Sequence, residues 1–301
     1  MRRFIVGIIL LISIALLTNT VFGTEFPLKV RDDAKRTVII PRLPQRIIST
    51  APANTEILFA LGLGDKVVGV TTWCNYPKDA TKKEKIGDFQ NPNIEKILSL
   101  KPDLVVATGG IQIPLVEKLQ QLGVTVYVID PKTIEDVITT IYKIGHITGQ
   151  DKIAKDLGFS LKLRISTVVS KVQKAQQKPK VFFELWHEPL MSVGPGSFVD
   201  DLIRKAGGIN IAGNARTPYP IFSLEELIKE DPDIIIGAAS SMGTGPLNIS
   251  TISTRPGWSS LKAIKTGKVF TIDDDIIFRS GPRLVDALEI IAKYLHPEIF
   301  K

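Results

Sequence analysis

A twelve-residue pattern occurs once in each half of this chain, and it constrains the fold more than any other feature. The first copy runs from Glu95 to Val106 and the second from Glu225 to Ile236, at an offset of 130 residues. Each copy begins with glutamate and ends with a Pro-Asp pair and an apolar triplet. Because proline cannot continue a helix, each copy predicts a short helix, a sharp stop and a buried strand. A single copy would be an ordinary connection in an α/β fold. Two copies indicate that the two halves of the chain have related structures.

Short apolar strands alternate with helical stretches in both halves. Strands are expected at 38–40, 46–49, 67–70, 104–107, 124–129, 181–185, 234–236 and 269–272. Helices are expected at 57–63, 94–100, 115–122, 198–206, 224–229 and 283–295. This alternation is typical of mostly parallel sheets that helices cover on both faces. The sequence therefore predicts an α/β fold.

The middle of the chain departs from this alternation. Between 133 and 177 there is no proline and no strand pattern, and apolar residues recur at helical spacing. Gly145 and Gly149 interrupt the segment. The helical pattern that follows Gly149 spans roughly 25 residues, or about 40 Å if it is fully helical. We expect a single long, rigid helix to join two lobes and to limit their closing motion. The predicted divisions are a signal peptide at 1–23, an N-terminal lobe at 24–131, a helical connector at 132–178 and a C-terminal lobe at 179–301.

The first residues have the order of a secretory signal peptide. Arg2 and Arg3 precede an apolar stretch at 4–17, and small residues, Val21 and Gly23, occupy the −3 and −1 positions of a cut after Gly23. An uncleaved anchor is the alternative, but the stretch is short against the ~20 apolar residues that a membrane-spanning helix needs. No cysteine lies at the cleavage site, so a lipid anchor is not expected. The sequence predicts a periplasmic protein that is cleaved near Gly23.

Charge and cysteine content argue against two classes of protein. The net charge is +7, but the lysines are scattered, which is typical of a solvated surface rather than a nucleic-acid interface. Cys74 is the single cysteine, so no intrachain disulfide can form and the hydrophobic cores must stabilise the fold. We predict no nucleic-acid partner.

Each repeated glutamate lies six residues after an aromatic residue: Phe89 precedes Glu95, and Tyr219 precedes Glu225. Both connecting stretches contain proline and are expected to be loops that enter helices. Loops of parallel α/β sheets are where ligands usually bind. The pairing predicts an aromatic side chain on each wall of a cleft, with a carboxylate further out on each lobe. Trp73 also lies in a polar, proline-flanked loop and is expected at the site.

Several segments together carry a resemblance to a known family. They are 44–49, 49–57, 68–70, 73–77, 91–97 and 101–105 in the first half, and 189–194 and 198–203 in the second. In this order they resemble the periplasmic binding proteins for vitamin B12, within the wider group that carries siderophores and haem. The resemblance covers nearly the whole chain after residue 23.

The resemblance implies a class III periplasmic binding protein: two Rossmann-like lobes, one rigid helix between them, and a ligand clamped in the cleft. The family positions that flank the corrin ring match Trp73, Phe89 and Tyr219. The resemblance also implies that one surface glutamate per lobe docks onto arginines of the membrane permease, and these positions match Glu95 and Glu225. The implied ligand is cobalamin or another corrinoid, the implied partner is an ABC importer permease, and the protein is expected to be a monomer.

One position departs from the family pattern. Thr108 stands where a well-known B12 binder has tryptophan. Trp186 is a further candidate for the cleft wall, and His187 beside it is placed to contact or axially ligate a metallated ligand, although a hydrogen-bonded loop histidine is the simpler interpretation. Trp258 is expected to pack at the surface.

Ferric siderophore or haem is the alternative ligand class. Arg279 and Arg283 are positioned in the sequence to meet an anionic ligand, although they also fit surface or helix-start positions. A free metal ion is disfavoured, because the chain offers only three histidines and no convergent ligand set.

Catalysis is not predicted. The segment from Gly194 to Phe198 superficially resembles a nucleophile elbow, but its spacing is wrong and no partner histidine and aspartate support it. We expect neither a catalytic residue nor a catalytic cofactor.

Overall fold

The computed structural model describes residues 25–239 and 249–300. The predicted signal peptide lies outside these residues. Within the described part of the chain, no helix combines the length and the apolar content needed to cross a membrane.

Two separate parallel sheets organise the molecule. The strands are β1 (Leu28–Arg31), β2 (Thr37–Ile40), β3 (Ile47–Ser49), β4 (Val67–Val70), β5 (Glu84–Lys85), β6 (Leu104–Thr108), β7 (Val126–Ile129), β8 (Lys180–Glu184), β9 (Ile209–Asn210), β10 (Ile234–Ala238) and β11 (Val269–Ile272). The first sheet has the order β5-β4-β3-β6-β7 and the second β11-β10-β8-β9, and all pairings in both are parallel. A small antiparallel pair, β1 and β2, precedes them.

Helices surround both sheets. They are α1 (Pro52–Ala60), α2 (Ile94–Ser99), α3 (Ile113–Gln121), α4 (Ile134–Ile147), α5 (Asp151–Val172), α6 (Phe198–Lys205), α7 (Leu224–Glu230), α8 (Ile249–Ile252), α9 (Lys262–Lys265), α10 (Asp274–Ile277) and α11 (Leu284–Leu295). The predicted α/β class is confirmed. The short strands β1, β5 and β9 were absent from the sequence interpretation, because two to four residues carry too little periodicity to predict a strand.

Alternate residues of each central strand enter different cores. In β8, Val181 and Phe183 belong to a large core cluster, whereas Phe182 belongs to a second cluster that packs against Trp258. In β6, Val106 joins the same large cluster as Phe183. One face of each sheet thus contributes to a single apolar core that continues from one lobe into the other through α4 and α5. Side chains alternate across a strand, so both faces are buried, as parallel sheets require.

The segment predicted as one helical connector contains two helices. Helix α4 begins with a capping box in which Thr133 and Asp136 satisfy each other's backbone N–H groups, and it ends before Gly149, whose φ is 69°. Helix α5 then runs for 22 residues and leads into the second sheet. The part of the connector that reaches the second sheet is therefore one long helix, while α4 packs against α5 and covers the shared core.

The two sequence repeats adopt the same local structure. Helix α2 leads into β6 and helix α7 leads into β10, so both elements of the pair keep the offset of 130 residues. The residue before each proline has positive φ, 45° at Lys101 and 44° at Asp231. These left-handed residues turn the chain sharply between helix and strand.

The aspartate after each proline attaches the turn to the central strand of its sheet. Asp103 accepts hydrogen bonds from the backbone N–H groups of Gln45 and Arg46, immediately before β3. Asp233 accepts one from the N–H of Lys180, the first residue of β8, at 2.8 Å. The Pro-Asp pair is thus structural in both halves: proline stops the helix and aspartate sets the start of the neighbouring strand.

Candidate functional site

The candidate ligand residues follow the carboxyl ends of strands in both sheets, where parallel α/β sheets usually bind ligands. Trp73 follows β4, Phe89 follows β5, and Trp186 and His187 follow β8. Tyr219 lies in the loop between β9 and α7. Each residue therefore lies in a loop at the carboxyl end of its sheet.

Trp73 is held at the tip of a tightly anchored loop, residues 71–77, which we call the Trp73 loop. The neighbouring Cys74 is buried, and its Sγ lies 3.1 Å from the hydroxyls of both Thr55 and Thr71. Trp73 points outward and remains 63% exposed. A buried thiol is ordinary, whereas tryptophan is highly buried on average, so the exposed Trp73 ring gives this loop an apolar surface.

Phe89 is half-buried, and its position depends on a residue that sequence reasoning missed. The side-chain amide of buried Gln112 donates to the carbonyl oxygens of Phe89 and Thr50, at 2.8 Å in each case. Its oxygen accepts from the Thr50 hydroxyl and from the backbone N–H of Thr108. Gln112 thereby joins the loops that follow β3, β5 and β6. No local pattern marks it, because the carbonyl groups to which its amide donates lie 23 and 62 residues away.

The loop after β6 offers an aliphatic residue close to the missing tryptophan position. Thr108 is half-buried and ends the strand, while Ile111, three residues later, is 58% exposed. The exposed side chain of this loop is therefore apolar even though Thr108 is not aromatic.

Tyr219 lies on a loop whose backbone is fixed against its own lobe. The carbonyl oxygens of the flanking Pro218 and Pro220 accept hydrogen bonds from the N–H groups of Gly194 and Ser192, at 2.8 and 3.0 Å. The Tyr219 ring is 54% exposed. As with Trp73, a rigid backbone presents an exposed aromatic side chain.

Trp186 and His187 border a buried ion pair. The Trp186 indole N–H donates to the carbonyl of Glu188 at 2.8 Å. The buried Glu184 carboxylate binds Arg255 Nη1 at 2.6 Å, and His187 Nδ1 lies 3.9 Å from the same carboxylate. Among the described residues, His187 Nδ1 is buried without a hydrogen-bond partner. Burial and the adjacent ion pair hold this end of β8 in place.

The prediction for Trp258 was wrong. Its side chain is only 3% exposed and packs edge-on against Phe182, with the Arg255 guanidinium 4.9 Å from its ring. The short polar segment around Trp258 concealed this, because burial follows from the packing of distant elements rather than from neighbours in sequence.

Glu95 and Glu225 occupy matching positions in the first turns of α2 and α7. The side chains of Asn93 and Ser223 cap these helices by accepting N–H groups of the first turn. Both glutamates are exposed, and neither has an ion-pair partner among the described residues. The helix N-termini favour their negative charge. Each lobe thus presents an unpaired surface carboxylate at an equivalent position.

Arg279 and Arg283, considered above for an anionic ligand, bind protein carboxylates instead. Glu56 in α1 is buried, and it accepts hydrogen bonds from Arg283 Nη2 at 2.6 Å and from Arg279 Nη1 at 3.3 Å. Arg279 also pairs with Asp275. Burial opposes the charge on Arg283, but its bonds to Glu56 outweigh this and raise the pKa of the guanidinium above its usual value.

A cavity of about 350 Å³ lies where α1, α5 and the segment before α11 meet. Glu56, Tyr76 and Arg283 line it together with apolar residues of α1 and α5. Trp73, Phe89 and Tyr219 are not among its lining residues, but Tyr76 is, so the cavity borders the Trp73 loop without including the predicted ligand-binding side chains.

A group of three carboxylates follows β11 at Asp273, Asp274 and Asp275, with oxygens within 4.8 Å of one another. Asp275 already binds Arg279 and the Asn75 amide, and the Asp273 carboxylate caps α10. These bonds account for the cluster as a helix start attached to its surroundings.

A family model and the curated relatives of this chain agree on the type of protein that it resembles. The family model described as periplasmic binding protein matches residues 47–276. The ABC transporter substrate-binding lipoprotein YvrC of Bacillus subtilis is 35% identical over 284 residues, which is 92% of this chain and 88% of that protein.

The relatives include proteins named for two different ligands. A vitamin B12-binding protein of Vibrio cholerae is 31% identical over 253 residues, covering 83% of this chain and 89% of that protein. The crystal structure of the periplasmic vitamin B12 binding protein of Vibrio cholerae superposes with a TM-score of 0.73 at 30% identity, covering 85% of this chain and 98% of that one. A periplasmic haem-binding protein of Roseiflexus sp. RS-1 superposes with a TM-score of 0.74 at 26% identity, covering 84% and 98%.

Proposed function

The chain belongs to the periplasmic binding protein family, whose members are solute-binding proteins of ABC importers, and we propose that its ligand is a corrinoid, with vitamin B12 as the best candidate. The ligand is held between the loops of the two lobes and delivered to a membrane permease. The observation that carries this proposal is the pair of exposed aromatic side chains on rigid loops, Trp73 in the first lobe and Tyr219 in the second. Similarity to vitamin B12-binding proteins supports the same ligand class.

A corrin is a broad, largely apolar disc with amides at its edge. Aromatic side chains bury a large area at low conformational-entropy cost, which suits such a ligand. At about 25 cal/mol per Å², a few hundred Å² of apolar contact contributes several kcal/mol. Binding in the micromolar to nanomolar range requires about 8 to 12 kcal/mol, so these aromatic contacts need hydrogen bonds to the amide edge in addition.

Delivery is proposed to use Glu95 and Glu225. They are exposed, unpaired within the described residues and equivalent between the lobes. Two carboxylates at fixed positions would steer and orient the encounter with basic residues of a permease, although each exposed pair contributes little binding energy by itself. A double Glu95→Ala, Glu225→Ala variant should bind corrinoid normally and support less uptake.

The remaining parts of the proposal concern location and organisation. Residues 1–23 are proposed to be a cleaved signal peptide that sends the protein to the periplasm. The lobe divisions at 131/132 and 178/179 follow the change from strand–helix alternation to helices only. The protein is proposed to act as a monomer and as a carrier rather than as an enzyme.

Haem is the second candidate ligand, because one observation favours it. His187 follows the carboxyl end of β8 and its side chain is 39% exposed; its Nδ1 is buried 3.9 Å from the Glu184 carboxylate, so Nε2 is the nitrogen left to ligate a metal. An imidazole at such a position suits axial ligation of a metallated ring. A ferric siderophore is less well supported, since Arg279 and Arg283 are engaged with Glu56 and Asp275.

The test is a calorimetric titration of the purified protein with cyanocobalamin, with haem and a ferric hydroxamate in parallel. One-to-one binding of cyanocobalamin that is much tighter than the other two supports the proposal. Binding of haem alone, weakened by His187→Ala, would assign the second candidate. Binding of neither tetrapyrrole would exclude both ligands.

A further inference from the structure

A buried carboxylate of the first lobe is paired entirely by the second lobe. The Glu56 side chain is 1% exposed, and Arg283 binds it through Nε at 3.0 Å and Nη2 at 2.6 Å. Arg279 adds a third contact at 3.3 Å. Asp275 pairs with Arg279, so two carboxylates and two guanidinium groups balance in charge. A buried carboxylate without such partners would be strongly unfavourable, so this pairing holds the lobes in one relative position.

The same arginines also hold the Trp73 loop. Arg279 Nη2 donates to the carbonyl oxygen of Trp73 at 3.3 Å, and its Nη1 donates to the side-chain oxygen of Asn75 at 2.7 Å. The Asn75 amide in turn donates to Asp275 at 2.6 Å. The Arg283 guanidinium stacks 4.0 Å from the ring centroid of Tyr76. Three residues of a first-lobe loop therefore contact the second lobe directly.

The close approach is permitted by a glycine between the two arginines. A Cβ atom at Gly281 would lie 3.2 Å from Glu56 Oε2 and 3.6 Å from the carbonyl of Ala53. A side chain at this position would crowd the Glu56 carboxylate, which would have to shift by a few tenths of an ångström. The sequence between Arg279 and Arg283 is thus suited to place both guanidinium groups around one carboxylate.

We propose that Glu56, Asn75, Asp275, Arg279 and Arg283 form a lobe bridge whose role is to position Trp73 for ligand before any ligand arrives. These are positioning residues, acting on binding through the Trp73 loop and through the angle between the lobes. Preorganisation of this kind raises affinity by removing the cost of ordering the loop on binding. The role in affinity rests on the proposed corrinoid function, whereas the effect on the loop does not.

The test combines a ligand-free measurement with a binding measurement on Glu56→Gln. This variant keeps the shape of the side chain and removes the charge that both arginines bind. Hydrogen exchange of the ligand-free protein should accelerate about tenfold at the amides of Thr72 and Cys74, which are hydrogen-bonded in the Trp73 loop. If about a tenth of the molecules then keep the binding arrangement, the apparent Kd for cyanocobalamin rises about tenfold.

Two further variants keep the test decisive. Asn75→Ala removes the side chain that bonds both Arg279 and Asp275 at an exposed position, so it should fold even where Glu56→Gln does not, and it should also accelerate loop exchange. Arg164→Gln is the matched control: Arg164 lines the same cavity as Tyr76, but its hydrogen bonds go to Asp286 and Glu289, which join α5 to α11, rather than to the Trp73 loop.

The inference is overturned by unchanged exchange at Thr72 and Cys74 in both Glu56→Gln and Asn75→Ala, or by equal acceleration in Arg164→Gln. It is supported by acceleration confined to the Trp73 loop. If hydrogen exchange in the Trp73 loop becomes faster in these variants but the native protein does not bind cyanocobalamin, the lobe bridge is supported and only the proposed ligand is rejected.

Discussion

The two helix–Pro-Asp–strand units have the same backbone and different side-chain chemistry. In the first, the Arg46 guanidinium donates to the carbonyl of Leu100 at the end of α2. In the second, the Lys180 ammonium donates to the carbonyl of Glu230 at the end of α7 and pairs with its carboxylate. Leu100 and Glu230 are themselves 130 residues apart. The repeat therefore preserves where a cation satisfies the last helical turn, while the cation itself has changed.

The loops differ much more than the units that carry them. The Trp73 loop is anchored across the lobes by Arg279 and Arg283, whereas the Tyr219 loop is anchored within its own lobe by backbone bonds to Gly194 and Ser192. The position of the Trp73 loop thus depends on how the lobes are arranged, whereas the position of the Tyr219 loop does not. Substitutions at equivalent positions should separate what the two halves share from what distinguishes them.

The largest difference is expected between the two aromatic walls. Trp73→Ala should weaken cyanocobalamin binding by about 2–3 kcal/mol, or roughly 30- to 150-fold, because a large exposed indole loses its contact area. Tyr219→Ala should cost about 1–2 kcal/mol, since the phenol ring offers less area. Calorimetric titration measures both. Phe159→Ala is the control, because this aromatic is exposed on α5 away from the loops and should leave affinity unchanged. Equal loss in all three variants would contradict the assigned walls.

The next largest difference is expected between Asp103 and Asp233, in how much each contributes to the stability of the fold. Asp103→Ala removes the acceptor for two backbone N–H groups and should lower the free energy of unfolding by about 2–3 kcal/mol. Asp233→Ala removes the acceptor for one N–H and an ion pair with Lys262, and about 1–2 kcal/mol is expected. Urea denaturation gives both values. A larger loss at Asp233 would show that the ion pair, rather than the backbone bonds, controls the turn.

The contribution of Asp233 should depend on pH. Burial pushes the pKa of this carboxyl upward, but bonds from Lys262 and from the N–H of Lys180 outweigh it and hold the pKa below its usual value of about 3.9. Its stabilising effect is therefore complete above about pH 4 and is lost as pH falls through the lower folded-state value. The difference in unfolding free energy between the native protein and Asp233→Asn should shrink below pH 4. A difference that stays constant to pH 3 would contradict this.

The smallest effects are expected at the left-handed residues before the prolines. Glycine adopts positive φ without the steric cost that other residues bear, so Lys101→Gly should stabilise the fold by about 0.5–1 kcal/mol. Asp231→Gly gains the same relief but loses the bond from its carboxylate to the N–H of Lys262 at 2.7 Å, so no net gain is expected. Thermal unfolding compares the two. Equal stabilisation would mean that this bond contributes nothing.

Local pattern was sufficient for much of the scaffold. The strands β6 and β10 and the helices α2 and α7 follow from the repeat, because proline and apolar spacing act within a few residues. The exposed loops of Trp73 and Tyr219 were also predictable, since polar residues and prolines surround both. Gln112 and the burial of Trp258 were not predictable, because their contacts depend on distant parts of the chain.

The sequence by itself determined the α/β class, the repeated helix–strand unit, the long helix before the second sheet and the aromatic candidates for the ligand surface. Only the tertiary structure decided what Arg279 and Arg283 do. Their carboxylate partner, Glu56, lies 223 and 227 residues earlier in the chain. Whether two arginines meet a ligand or a buried carboxylate depends on how two lobes pack, and no local preference of the chain encodes that distance.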